Sequence, residues 1–125
     1  MSAPDSGRPL RIVLSPAARR DIREALQWSR TRFGERAAFR YHSLLRQAIH
    51  DIAADPDRPG SRERPDLSSG LRTYHLFFSR GRVGGAAVIV RKPRHLVVYR
   101  RRGDTVIDVL RVLHDARELE RNLPE

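Results

Sequence analysis

Cysteine is absent from this 125-residue chain, which excludes disulfides, thiolate metal sites and cysteine nucleophiles together. No apolar run approaches the length of a membrane span, and the opening MSAPDSGRPLR holds no apolar stretch of signal-peptide length. A cytoplasmic protein is therefore the default. Lysine is nearly missing as well: of 25 basic residues, only Lys92 is not arginine. No internal repeat is present.

What is there is positive charge. The basic residues outnumber 15 acidic ones and give a formal net charge of +10. Such a surface attracts nucleic acid, an anionic membrane or an acidic protein, and charge alone does not choose among them. Arginine suits bidentate contacts to carboxylate or phosphate, although a genome rich in Arg codons gives the same bias. With 32% charged and 39% hydrophobic residues, the composition is that of a soluble globular protein, and the length fits one domain.

Residues Met1–Pro9 read as a disordered leader, followed by a single domain over residues 10–122. Leu10–Ser15 alternates like a short strand. Ser15-Pro16 then starts a helix, with serine as N-cap and proline at the first helical position. Ala18, Ile22, Ala25, Leu26, Ser29 and Phe33 form its inner stripe to about Arg32, with Trp28 at the boundary, half-covered by the neighbouring helix rather than stacking a ligand. Gly34 breaks the pattern. A second helix, Glu35–Ala54, places Ala38, Tyr41, His42, Leu45, Ala48, Ile49 and Ile52 on one side, and so short a connection makes an antiparallel helix hairpin. Neither His42 nor His50 has a second ligand at metal-binding spacing.

Asp55–Gly70, rich in proline and charge, reads as a loop, and Leu71–Ser79 as a strand. In the glycine-rich segment 80–94, residues 86–90 are a possible extra strand. The chain then turns to LVVYRRRGDTVIDVLRVLH, two β-branched runs around Gly103-Asp104. A two-residue turn bracketed by Arg102 and Thr105 sets Arg101 opposite Val106, Tyr99 opposite Asp108 and Leu96 opposite Arg111. In that register Arg111 and His114 point to opposite faces. Neither face is wholly apolar, so both should be covered. Asp115–Asn122 reads as a short C-terminal helix. The fold class is α+β: a two-helix hairpin on a small, mostly antiparallel sheet, in the order β-α-α-β-β-β.

The opening LSPAARRDIREALQWSRTRFG, the second helix running into DPDRPG, the GLR that begins the next strand, and the closing HLVVYRRRGDTVIDVLRVLHDARELE occur in an order that resembles the ParE branch of the ParE/RelE toxin superfamily. The resemblance implies the toxin half of a type II toxin–antitoxin pair, neutralised by a cognate antitoxin with an acidic wrapping segment. It also implies DNA gyrase as the target, with no cofactor, no metal and no membrane partner. A basic surface then speeds association with an acidic partner. The alternative within the same fold is a RelE-like ribosome-dependent mRNA endoribonuclease.

Cleavage through a ribose 2′-hydroxyl needs a base, a cation for the charge developing on phosphorus and an acid for the leaving oxygen. Arg72, Arg111 and His114 are the candidates for those roles. The predicted register separates Arg111 from His114, and the lysine cluster of such enzymes is missing. A protein-binding surface drawn from Arg72, Tyr99, Arg100, Arg102 and Arg111 is the main expectation. No helix-turn-helix spacing or aromatic RNA-binding signature is present, so operator DNA is expected to be reached only through the antitoxin.

Overall fold

A computed structural model describes residues 8–84 and 90–114. Most of the leader, most of the possible strand at 86–90 and the expected C-terminal helix lie outside the described residues. Strand β1 (Arg11–Leu14) enters helix α1 (Pro16–Phe33), which is followed by helix α2 (Glu35–Ala54). Strands β2 (Ser61–Glu63), β3 (Leu71–His75), β4 (His95–Arg102) and β5 (Val106–His114) complete a five-stranded sheet in the order β1-β5-β4-β3-β2. Only the β1–β5 pair is parallel. This is the α+β architecture read from the sequence, with the helix hairpin on one face of the sheet.

Two differences follow from local chemistry. The loop at 55–70 contains β2, three residues that pair with Arg72–Tyr74, too short to carry an alternating pattern. The strand expected over 71–79 ends at His75, and Leu76–Ser79 is a single turn of 3-10 helix. The His75 imidazole caps that turn by accepting the Phe77 N–H at 3.0 Å. Ser79 ties it to α2: Tyr74 O–H donates to Ser79 Oγ, which donates to Asp51 Oδ2 at 2.6 Å. Burial opposes the charge of Asp51, but hydrogen bonds from Ser79, Gln47 and Arg82 outweigh it and hold the carboxyl below its usual range.

The core between helices and sheet is built from Leu44, Leu45 and Ile52 of α2 against Tyr74, Val97, Tyr99, Ile107 and Val109. On the opposite face, Leu71, Leu96, Val98 and Leu113 form a second buried cluster. Both sheet faces are therefore covered, as the mixed hairpin pattern implied. The helix stripes hold in part. Ala18, Ala25 and Ser29 are buried, but Phe33 is 65% exposed; in α2, His42 is exposed and Leu44 takes an inner position.

Near the 3-10 turn, Gly60 has φ +101°, and a Cβ built there would lie 2.5 Å from Phe78 Cγ. Gly60→Ala combines left-handed strain with that overlap. We expect it to lower the unfolding free energy by about 1–3 kcal/mol, read from the chemical denaturation midpoint. An unchanged midpoint would mean that Phe78 swings aside at no cost.

Candidate functional site

The β4–β5 hairpin departs from its predicted register, and the departure builds the site. Arg102 pairs with Val106, so the turn holds three residues, Gly103–Thr105, with Gly103 at φ +63°. Along this half Arg101 faces Ile107, Arg100 faces Asp108 and Tyr99 faces Val109. A β-bulge follows: Val98 pairs with Arg111, leaving Leu110 as the extra residue. Beyond it Val97 faces Val112 and His95 faces His114.

A bulge leaves backbone groups without ladder partners, and α1 supplies them. Ser15 Oγ accepts the Ala18 N–H at 2.9 Å as the helix N-cap and donates to the Leu110 carbonyl at 2.8 Å. Asp21 Oδ2 accepts the Val112 N–H at 2.9 Å. The same carboxylate holds the Arg111 guanidinium through two hydrogen bonds, 2.7 Å from Nε and 3.1 Å from Nη2. Asp21 is 9% exposed, so it is both the bulge's backbone partner and the counter-charge of Arg111.

This arrangement brings Arg111 and His114 into one cleft of about 410 Å³, together with Asp21, Glu24, Trp28 and His95. The register still sets Arg111 opposite Val98 and His114 opposite His95, on different faces, but the long Arg111 side chain reaches Asp21 of α1, so the expected separation of the two functional groups does not hold. The His95 and His114 rings meet edge to face at 5.0 Å, and Trp28 lies 5.4 Å from His95 and 5.3 Å from His114. Trp28 is partly buried, as the boundary position predicted, but it packs on two histidines as well as on α2.

The protonation of His95 follows from its partners. Tyr41 Oη accepts the Arg94 N–H at 2.9 Å, so its own proton points to His95 Nδ1, 2.7 Å away. The neutral ring therefore carries its hydrogen on Nε2. Burial is the main force lowering the His95 pKa to about 3, with the charges of His114 and His75 acting the same way. Burial likewise pushes the Tyr41 phenol up to about 12. His95 is thus a neutral, poorly basic imidazole at physiological pH. Sequence reasoning missed both His95 and Asp21. The signal for Asp21 was its place three residues after Ala18 and four before Ala25, on the buried stripe.

The remaining candidates sit elsewhere. Arg72 Nε donates to Ser61 Oγ at 2.8 Å, and its guanidinium lies 3.4 Å from both Asp57 and Glu63. Ser61 in turn bonds the Tyr99 hydroxyl, which donates to the Pro56 carbonyl. Tyr99 is fully buried, so it positions Ser61 and β2 rather than meeting solvent. Asp108 does not face Tyr99. It lies opposite Arg100 and is held by Arg102 through two bonds of 2.8 Å. Arg100 donates to Ser68 Oγ at 3.0 Å. The five proposed binding residues therefore divide among three places: Arg111 in the histidine cleft, Arg72 and Tyr99 beside β2, and Arg100 and Arg102 on the outer face of the hairpin.

No group of three or more His, Cys, Asp or Glu side chains able to hold a metal ion occurs among the described residues. Nor is any helix among them long and apolar enough to cross a membrane.

Comparison with known proteins agrees with this picture. The chain is 31% identical over 121 residues to Toxin ParE1 of Mycobacterium tuberculosis, covering 90% of this chain and 97% of that toxin. A solved structure described as the chromosomal ParDE TA system from P. aeruginosa shares the fold, with a TM-score of 0.61 at 14% identity over 85% of this chain and 96% of that one. The sequence pattern of the family described as ParE toxin of type II toxin-antitoxin system, parDE, matches residues 12–119, and this chain belongs to that family.

Proposed function

We propose that this protein is a toxin that inhibits DNA gyrase and is kept inactive by a cognate antitoxin. The antitoxin would bring an acidic segment to the basic surface and would carry the pair to operator DNA. We place it in the cytoplasm, where gyrase and operator DNA are. The observation that favours binding over catalysis is the state of Arg111. Beside His114 it is the arginine best placed to meet a scissile phosphate, yet Asp21 already neutralises it through a two-point contact. A phosphate would have to displace a carboxylate that also holds the Val112 N–H. The neighbouring His95 is neutral and its Nδ1 is occupied, and Arg72 lies in another part of the sheet.

The ribonuclease reading keeps one observation in its favour, that Arg111, His114 and His95 line one cleft. Purified protein assayed against gyrase supercoiling and against ribosome-dependent mRNA cleavage separates the two. We expect loss of supercoiling with intact mRNA. Cleaved mRNA with normal supercoiling would sink the gyrase reading and make Arg111 and His114 catalytic candidates.

A further inference from the structure

A second cleft, of about 440 Å³, lies at the connected end of the helix hairpin and differs in character from the histidine cleft. Its apolar wall comes from Trp28, Phe33, Ala37 and Tyr41, and its remaining lining includes three cations, Arg40, Arg91 and Lys92. No carboxylate lines it among the described residues. Trp28 is the hinge of the wall, meeting Phe33 edge to face at 5.9 Å and Tyr41 at 6.0 Å. Phe33, at 65% exposure, presents apolar surface that the described part of the fold leaves to solvent.

An exposed phenyl ring beside an aromatic wall costs solvation free energy unless something covers it. Cations along the lining with no acid among them select for negative charge in whatever does so. The geometry points to an acidic segment of the cognate antitoxin, resting on the reading of this chain as an antitoxin-bound toxin. We propose that one apolar side chain of that segment enters between Trp28, Phe33 and Ala37 while neighbouring carboxylates meet Arg40, Arg91 and Lys92. A cleft of this size takes one or two side chains. It serves as the anchor point, with the surrounding charges setting orientation and association rate.

Trp28 is the only tryptophan of the chain and lines both this cleft and the histidine cleft, so its emission reports binding at either, and the variants assign it to this one. The test titrates the full-length product of the adjacent gene into the full-length toxin, into Phe33→Ala and into the double variant Arg91→Glu with Lys92→Glu. These side chains are exposed, so the variants should keep the wild-type thermal midpoint. We expect a change in Trp28 emission on binding and an affinity loss of about tenfold or more for each variant, the size of losing one anchor. For the charge-reversed variant the salt dependence should also diminish. Tight binding to all forms within about twofold would overturn the cleft assignment while leaving the antitoxin reading intact. Absence of binding to the wild-type protein would overturn both. Unchanged antitoxin affinity with lost binding of a short DNA duplex would overturn it in favour of nucleic acid.

Discussion

Asp21→Ala is expected to lower the unfolding free energy by about 3 kcal/mol, the lower end of what breaking a buried ion pair costs. Two losses combine. The Val112 N–H, which Asp21 accepts in the folded protein, is left buried without that acceptor, which costs about 1–3 kcal/mol. The Arg111 guanidinium keeps its charge and loses both hydrogen bonds. With its side chain 23% exposed, solvent screens part of that penalty, which is why the lower end applies. A chemical denaturation series at constant slope measures the effect. The double variant Asp21→Ala with Arg111→Leu should recover about 1–2 kcal/mol of the loss, because it removes the guanidinium whose Asp21 contact is gone. A single-variant loss below about 1 kcal/mol would show that the bulge relaxes into a regular ladder without Asp21.

That dependence also explains which parts of the molecule were legible in the sequence. The helix hairpin was, because Ser15-Pro16, Gly34 and the 3.6-residue spacing of Ala38, Tyr41, Leu45, Ala48 and Ile52 are local signals that tertiary contacts reinforce. The hairpin of β4 and β5 was legible as a pair of strands but not in its register. A two-residue turn was expected and a three-residue turn formed, with Gly103 left-handed at its first position. This shifted each pairing by one residue and moved Ile107 and Val109 to the helix side. The bulge at Leu110 then shifted the pairing by one more, so His95, Val97, Val112 and His114 share a face as first read.

A bulge has little local signature, since its stability comes from Ser15 and Asp21, more than 85 residues away in sequence. The site inherits the same blindness. Arg111 was among the residues the sequence singled out, but its partner Asp21 lies on another element, 90 residues away, with no local signal linking the two. Likewise Tyr99 is a strand tyrosine by pattern, and only the fold reveals that its hydroxyl is spent on Ser61 and Pro56.

Acidification is expected to weaken the fold well before its carboxylates titrate, and His95 is the reason. Its pKa is about 3 in the folded protein, against about 6.5 for an unperturbed histidine. Between these values the unfolded chain binds a proton that the folded chain excludes, so stability falls as pH falls. The contribution is complete above pH about 6.5 and lost toward pH about 3, at about 1.4 kcal/mol per unit. From pH 7 to pH 5 the loss should be about 2 kcal/mol. Asp51 and Asp108, whose carboxyls are held low by their hydrogen-bond partners against the opposing effect of burial, add to the loss only near and below the ordinary carboxylate range. The groups acting on His95 are Tyr41 from α2, Asp21 and Trp28 from α1, His114 from β5, His75 from β3 and Arg94 just before β4. His95→Asn keeps an acceptor near the Nδ1 position for the Tyr41 hydroxyl and removes the titration. Built into a His114→Asn background, so that the second imidazole cannot contribute, it should flatten the slope between pH 7 and pH 5. If the slope persists in that double variant, His95 is not the group whose burial the fold protects, and the neutral Tyr41–His95 pair does not govern acid stability.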